Sequence, residues 1–401
     1  MTTALSPASP STARAINDRL ALNLLQEEGP LTASQLKAGT GLSRPSVADL
    51  LERLATAGLI EVVGESREQR RGPNAKLYGI VSRRAFLAAL DVRTDSATAV
   101  VTDLLGRPLA EAALPVDAPR DAVAVLRRTA RAAGADALHT VMVGAPGLVA
   151  PATGELRDTT GLPSWHRDLV ALLQSELPAR VLVENETNLA ALAEQRLGAA
   201  RDLDSFVLLW LGAGVGAAVV LDGRLRRGAS GGAGEIGFLP VPGTAGLPSA
   251  TDCGGGFHAL AGAEAVAELA VRHGLAGGAA AAVATAVAAA TEGTAPADGG
   301  EAFLDALAER LALGAAAVAA VLDPGCVILG GELGLAGGPA LAERVARRLD
   351  TLTPVPTGVR ATALGGGAVL AGARLAARDA AQEVLFGRPG PDPGRSSRRD
   401  A

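Results

Sequence analysis

A chain of 401 residues is longer than one hydrophobic core usually serves, and 48% hydrophobic with 20% charged residues excludes a disordered or fibrous polypeptide. The formal charge of −5 excludes a protein that is basic throughout, and the richest apolar runs, 276–290 and 311–322, are short and Ala-dominated, unlike a membrane span. Residues 1–84 carry 11 Lys/Arg against 8 Asp/Glu, a balance of +3, which leaves −8 for residues 85–401. A basic front on an acidic body suits a local contact with nucleic acid. The Ser/Pro/Ala-rich start, 1–12, carries no basic-then-apolar signal and is expected to be disordered and not to direct secretion. Two distant cysteines, Cys253 and Cys326, point to a reduced cytoplasmic protein without a disulfide framework.

The predicted elements begin with a helix in which Ile16, Leu20 and Leu24 recur on one face, ending near Gly29-Pro30. Thr32-Ala33-Ser34-Gln35 is a capping-box pattern that opens a short helix through about Ala38, with Gly39-Thr40-Gly41 as the turn. Ser43 caps a third helix that accepts Pro45 in its first turn. Val47, Leu50, Leu51 and Leu54 form its buried stripe, and Gly58 stops it. Two strands follow, 59–63 and 75–80, around a charged loop from Gly64 to Asn74.

Helix, short helix, turn, helix and hairpin, over 13–82, is the order of a winged helix-turn-helix. The third helix then enters the major groove by its N-terminus, which nominates Ser43, Arg44, Pro45 and Ser46 as DNA contacts. The hairpin loop is the wing. Its Gly72-Pro73 keeps it extended and places Arg70, Arg71, Asn74 and Lys76 near a minor groove or its phosphates. A small helical bundle with a solvated hairpin is the alternative.

Beyond Phe86, short apolar runs alternate with helices, which predicts an α/β body. Strands at 86–91 and 97–103, with a turn at Gly106, resemble strands at 206–211 and 217–222 with a turn at Gly223. The duplication suggests two related lobes around a cleft, bounded at 85–200 and 201–380 and followed by a disordered tail, 381–401. Between 277 and 300 one amphipathic helix is expected to end near Glu292 and give way to a flexible loop.

A series of landmarks runs through this body: Val143-Gly144-Ala145-Pro146-Gly147, Val183-Glu184-Asn185-Glu186, Gly212-Ala213-Gly214, Gly231-Gly232-Ala233-Gly234-Glu235-Ile236-Gly237 and Leu329-Gly330-Gly331. In order and spacing it resembles the ROK family of repressors and sugar kinases over nearly the full chain, including the N-terminal winged helix of its repressor branch. The resemblance implies an actin-like, two-lobed sugar-kinase fold.

Three departures separate the chain from the family's kinases. The phosphate loop, rich in glycine in the family, reads Asp91-Val92-Arg93-Thr94-Asp95-Ser96. The family's histidine after Gly-Glu-Ile-Gly, which contacts sugar and binds zinc, is Phe238, and of its three zinc cysteines only Cys253 remains. The catalytic Asp of the family stands as Glu186, whose extra methylene displaces the carboxylate. A family acidic sugar contact aligns with Leu260.

No catalysis, metal or cofactor is therefore expected. Gly147, Asn185, Glu186 and Glu235 are the candidate effector site, although Asn185 and Glu186 equally suit a helix N-terminus. His166, near the cleft in relatives, has a structural role as its default. The expected function is a DNA-binding regulator, most simply a repressor, gated by a carbohydrate and bound to operator DNA as a homodimer or tetramer. An active carbohydrate kinase and a constitutive DNA-binding protein with a dead ligand domain are the alternatives.

Overall fold

The computed structural model of the chain describes residues 10–66, 75–157, 163–244, 246–249, 255–292 and 297–387. The N-terminal module is α1 (Pro10–Glu28), β1 (Leu31–Thr32), α2 (Ala33–Thr40), α3 (Arg44–Thr56), β2 (Ile60–Ser66) and β3 (Ala75–Ile80). Its strands form one antiparallel sheet in the order β1-β3-β2, with a bulge between Val62 and Gly64. The capping box forms: Thr32 Oγ1 accepts from Gln35 N at 3.2 Å, and Gln35 Oε1 accepts from Thr32 N at 2.8 Å. Val47, Leu50, Leu51 and Leu54 are buried, as their spacing requires.

Three details differ from expectation, the first being that residues 10–12, expected to belong to a disordered start, already lie in α1. Gly39 and Thr40 are helical, and Gly41, at φ 69°, alone makes the turn. A Cβ on Gly39 would lie 2.8 Å from Leu24 Cδ1, so the glycine serves the close approach of α1 to α2. On α1 the buried residues are Ala21, Leu22 and Leu25, whereas Ile16 and Leu20 are exposed. The face that α1 buries is set by what packs on it, including the C-terminal end of the chain, and the i, i+4 spacing of Ile16 and Leu20 does not reveal that partner.

The body repeats one topology. The first lobe holds β4 (Phe86–Val92), β5 (Ala97–Asp103), β6 (Pro108–Leu114), α4 (Pro119–Ala132), β7 (Thr140–Ala145), α5 (Trp165–Glu176), β8 (Arg180–Asn185) and α6 (Glu186–Leu197). Its sheet order is β6-β5-β4-β7-β8, antiparallel on the hairpin side and parallel from β4 to β8.

The second lobe holds β9 (Phe206–Leu211), β10 (Val215–Leu221), β11 (Arg224–Arg226), α7 (His258–Ala261), α8 (Ala263–Arg272), α9 (Ala279–Glu292), α10 (Ala297–Leu322), β12 (Cys326–Gly330), α11 (Gly331–Leu349) and β13 (Gly358–Ala361). Its sheet, β11-β10-β9-β12-β13, has the same order and directions. The near-continuous apolar strands β4, β7, β9 and β12 are buried on both faces, as parallel central strands are.

The last helix, α12 (Ala368–Leu385), leaves the second lobe and packs on β4, β7 and α6 of the first. The first lobe is therefore completed by residues beyond 367, and the second lobe does not extend to 380. Nor does a tail begin at 381: Ala381, Gln382 and Phe386 are buried, and residues 388–401 lie outside the described residues. A Cβ on Gly372 would lie 1.9 Å from Leu189 O, which measures how closely α12 and α6 approach. The expected flexible loop up to Gly300 is replaced from Ala297 by α10, where Gly299 and Gly300 admit His273 and Ala286 at close range.

Candidate DNA-reading face and interlobe cleft

The N-terminus of α3 is open to solvent. Ser43, Arg44, Pro45 and Ser46 are all exposed. Ser43 is committed locally: its Oγ accepts from Ser46 N at 3.3 Å and lies 2.9 Å from Ser46 Oγ. Pro45 occupies the first turn, where no amide donor is needed. Arg44 has no ion pair among the described residues, which leaves its cation free to meet a phosphate or a base edge. Sequence reasoning passed over Arg14 and Asn17 on α1, which line one cleft with Leu42, Ser46, Asp49 and Arg53.

Arg53 holds this face in place by pairing with Asp18 at 2.6 Å and with Asp49, which ties α3 to α1. Lys76 is exposed at the start of β3, at the root of the wing. Arg70, Arg71 and Asn74 lie outside the described residues.

In the body, the turn after β4 carries Arg93 into the cleft. Its Nε and one terminal nitrogen reach Asp91 Oδ2 at 3.2 and 3.1 Å. The same guanidinium crosses to the other side, donating to Glu332 Oε1 on α11 at 3.3 Å and to the carbonyl of Gly366 at 2.8 Å. Below it, the Nε2 of His166 lies 3.0 Å from the Arg93 carbonyl, while the ring is almost wholly buried. Burial lowers the His166 pKa, so the neutral ring braces the Arg93 backbone by donating from Nε2. The segment that in the family's kinases carries phosphate-facing glycines is here filled by a side chain bonded to both lobes.

Asn185 caps α6. Its Oδ1 accepts from the amides of Thr187 and Asn188 at 2.8 and 3.3 Å, and its Nδ2 donates to Gly147 O at 2.9 Å. Both ends of that amide are occupied by protein, which favours the capping role of Asn185. Glu186, at the first position of α6, is different. It is half-buried near Asp91, Arg93 and Glu332, and its pKa is pushed up to about 7. Loss of hydration is the main cause, with the Asp91 charge next and Arg93 opposing. Asp91 itself is raised by burial against the pull of Arg93, and its Oδ1 has no hydrogen-bond partner.

Glu235 stands exposed on the glycine loop of the second lobe, and partial loss of hydration pushes its carboxyl upward. That loop is locked by backbone contact: a Cβ on Gly234 would lie 2.0 Å from Ala217 O, and one on Gly231 would lie 2.1 Å from Val149 O in the other lobe. A second interlobe pair, absent from the sequence reading, joins Glu184 on β8 to Arg227 at 2.6 Å. Glu184 lies in the Val183–Glu186 landmark, but nothing near Arg227 marks it as the partner, so no local pattern announces the pair.

The donor set does not fit the zinc of the family's kinases. Phe238 supplies no ligand, and His258 Nδ1 accepts from Val215 N at 3.4 Å. Cys253 lies outside the described residues. Among the described residues no three His, Cys, Asp or Glu side chains gather as a metal ion would require.

The model of the family described as "ROK family" matches residues 87–380, and that of the MarR family matches residues 16–72. The chain belongs to the ROK family. A ROK family transcriptional regulator of known structure, a homologue of the Escherichia coli MLC protein, superposes with a TM-score of 0.70 at 21% identity, covering 94% of this chain and 98% of that one. At that identity the likeness speaks for the fold.

Among curated relatives, the bifunctional enzyme NanE/NanK of Brucella suis is 39% identical over 162 residues, which is 40% of this chain and 28% of that protein. The xylose repressor of Bacillus subtilis is 23% identical over 240 residues, 56% of this chain and 60% of that protein. The chain thus spans under two thirds of the length of either relative. This ROK protein has a winged module and an actin-like body in the order expected from its sequence. Among the described residues no helix is long and apolar enough to cross a membrane.

Proposed function

We propose that this ROK protein is a transcription regulator, most simply a repressor, that reads operator DNA with α3 and the β2–β3 wing. A carbohydrate held between the lobes gates it. The observation that carries this reading is the exposed N-terminus of α3, where Arg44 stands unpaired on a module rigidly built by its cap, its buried stripe and the Arg53 pairs. A helix presented this way enters a major groove by its first turn. The xylose repressor among its relatives agrees with this reading. Two such modules on a homodimer, or two pairs of them on a tetramer, match palindromic operators, and a cytoplasmic site of action follows from that partner.

The body acts as a receptor and not as a kinase. Arg93 occupies the turn that a nucleotide phosphate would need, and a glutamate stands where the family's catalytic aspartate belongs. Glu186, Glu235 and the Gly147 loop present the polar groups that a polyol would meet. The likeness to NanE/NanK keeps kinase activity as the rival reading.

The test is capture of fragmented genomic DNA by the purified protein at rising salt. A few palindromic sites, lost with Arg44→Ala and released by one sugar of a panel, support the regulator. No enrichment at low salt sinks it. ATP turnover with any sugar, abolished in Glu186→Gln, establishes the kinase instead.

A further inference from the structure

α12 begins at the cleft and ends against the DNA-reading module. Its N-terminal end follows the three-residue turn Gly365–Gly367, whose Gly366 carbonyl accepts from Arg93. Just before that turn, the amides of Ala363 and Leu364 and the hydroxyl of Thr362 all donate to the carboxylate of Glu194, which is wholly buried on α6. At the other end, Gln382 Nε2 donates to Gln26 Oε1 of α1 at 2.7 Å and to Leu104 O of the first lobe at 3.0 Å. Arg19 of α1 donates to the Gln382 carbonyl at 3.2 Å, and its guanidinium lies 5.7 Å from the ring centre of the buried Phe386.

An unbroken helix of 18 residues spans about 27 Å. It contains no proline and no internal kink, so a displacement at one end arrives at the other as a rigid-body shift. The residues it buries along the way, Ala368, Val369, Gly372, Ala373, Ala377 and Ala381, are small. They bring α12 into close contact with α6, as the approach of Gly372 to the Leu189 carbonyl shows, so the helix and the elements packed on it shift together. Polar contacts hold its middle to the first lobe, Arg374 to the Gly106 carbonyl at 2.9 Å and Asp379 to Arg196 of α6 at 3.1 Å, while those at its two ends reach different parts of the molecule.

We propose that α12 is the mechanical link between the interlobe cleft and the DNA-reading module, with Arg93–Gly366 as its input contact and Gln382 with Arg19 and Gln26 as its output contact. This inference rests on the regulator reading for its purpose but not for its measurement. A ligand that draws Arg93 toward Asp91, or displaces it, changes the hold on the Gly365–Gly367 turn. α12 then shifts together with the part of the first lobe packed on it, and α1 moves with it. Gln382 and Arg19 are positioning residues, acting on DNA only through the placement of α1.

The experiment is amide hydrogen exchange on the full chain without DNA or sugar. In Arg93→Ala, amides of residues 19–28 on α1 are expected to exchange about fivefold faster or more, the lower range of typical coupling between sites. Gln382→Ala should loosen the same amides. Adding Arg93→Ala to Gln382→Ala should then change α1 no further, because the route is already cut.

Exchange that rises only around residues 91–96 and 365–367, or an undiminished Arg93→Ala effect on α1 in the Gln382→Ala background, overturns the link. Should Arg93→Ala unfold, Arg93→Lys makes the same comparison, since a lysine keeps a cation at Asp91 but lacks the fork that reaches Gly366. Failure here leaves the DNA-capture result untouched, and failure of DNA capture leaves the measured coupling in place.

Discussion

The turn after β4 and the turn after β9 occupy equivalent places in two sheets of identical order, yet they have become different devices. The first, Arg93-Thr94-Asp95-Ser96, fills its space with side chains and binds across the cleft. The second, Gly212-Ala213-Gly214, keeps its space empty. A Cβ on Gly212 would lie 2.6 Å from Glu332 Oε2, the same carboxylate group whose Oε1 accepts from Arg93. The glycine of one turn thus makes room for the partner of the arginine in the other.

Substitution of Arg93 by glycine tests this contrast most severely, since it makes the first turn resemble the second. It leaves Asp91, a buried carboxylate with one oxygen already unpartnered, without the cation that pairs with it. A loss of about 2 kcal/mol is expected, below the full value for a buried pair because Arg93 is partly exposed. Denaturant unfolding measures it, and an unchanged midpoint would show that the bridge is ornamental.

Glu186→Gln removes a titration. A carboxyl raised to about 7 in the folded protein stabilises it fully below the unfolded value of 4.5, and that contribution is lost as pH rises through 7. The variant, neutral at every pH, should therefore match the wild type near pH 4 and exceed it by on the order of 2 kcal/mol near pH 8. Thermal midpoints across that window check the sign. A variant less stable than wild type at high pH would mean that Glu186 is ionised and held by Arg93.

In the DNA-reading module, Ser43→Ala removes the cap of α3 and should cost about 1 kcal/mol, with DNA binding weakened through the loosened helix start. Binding reduced with no change in stability would instead make Ser43 a direct contact. The smallest effect is expected from Gly212→Ala, which displaces a half-exposed Glu332 from Arg93 and costs about 0.5 kcal/mol. A larger loss would reveal that the turn itself needs glycine.

The sequence by itself determined the local structure. Caps, stripes and breakers are written within four or five residues, which is why the Thr32–Gln35 box, the stripe of α3 and the strands β3, β5 and β9 appear where their residues placed them. The family motifs, each contiguous, carried the two-lobed fold and its order. The chain also announced the missing phosphate glycines, although not what stands in their place.

Only the tertiary structure decided the rest, because the deciding contacts join residues far apart in the chain. Arg93 meets Gly366 across 273 positions, Glu184 meets Arg227 across 43, and Gln382 meets Gln26 across 356. Nothing near Ile16 or Leu20 says which face of α1 will be covered, and nothing near Gln382 says that the end of the chain returns to its beginning. Hydrogen bonds and burial at those points depend on where separate elements are brought together, and sequence spacing constrains only the residues that share an element.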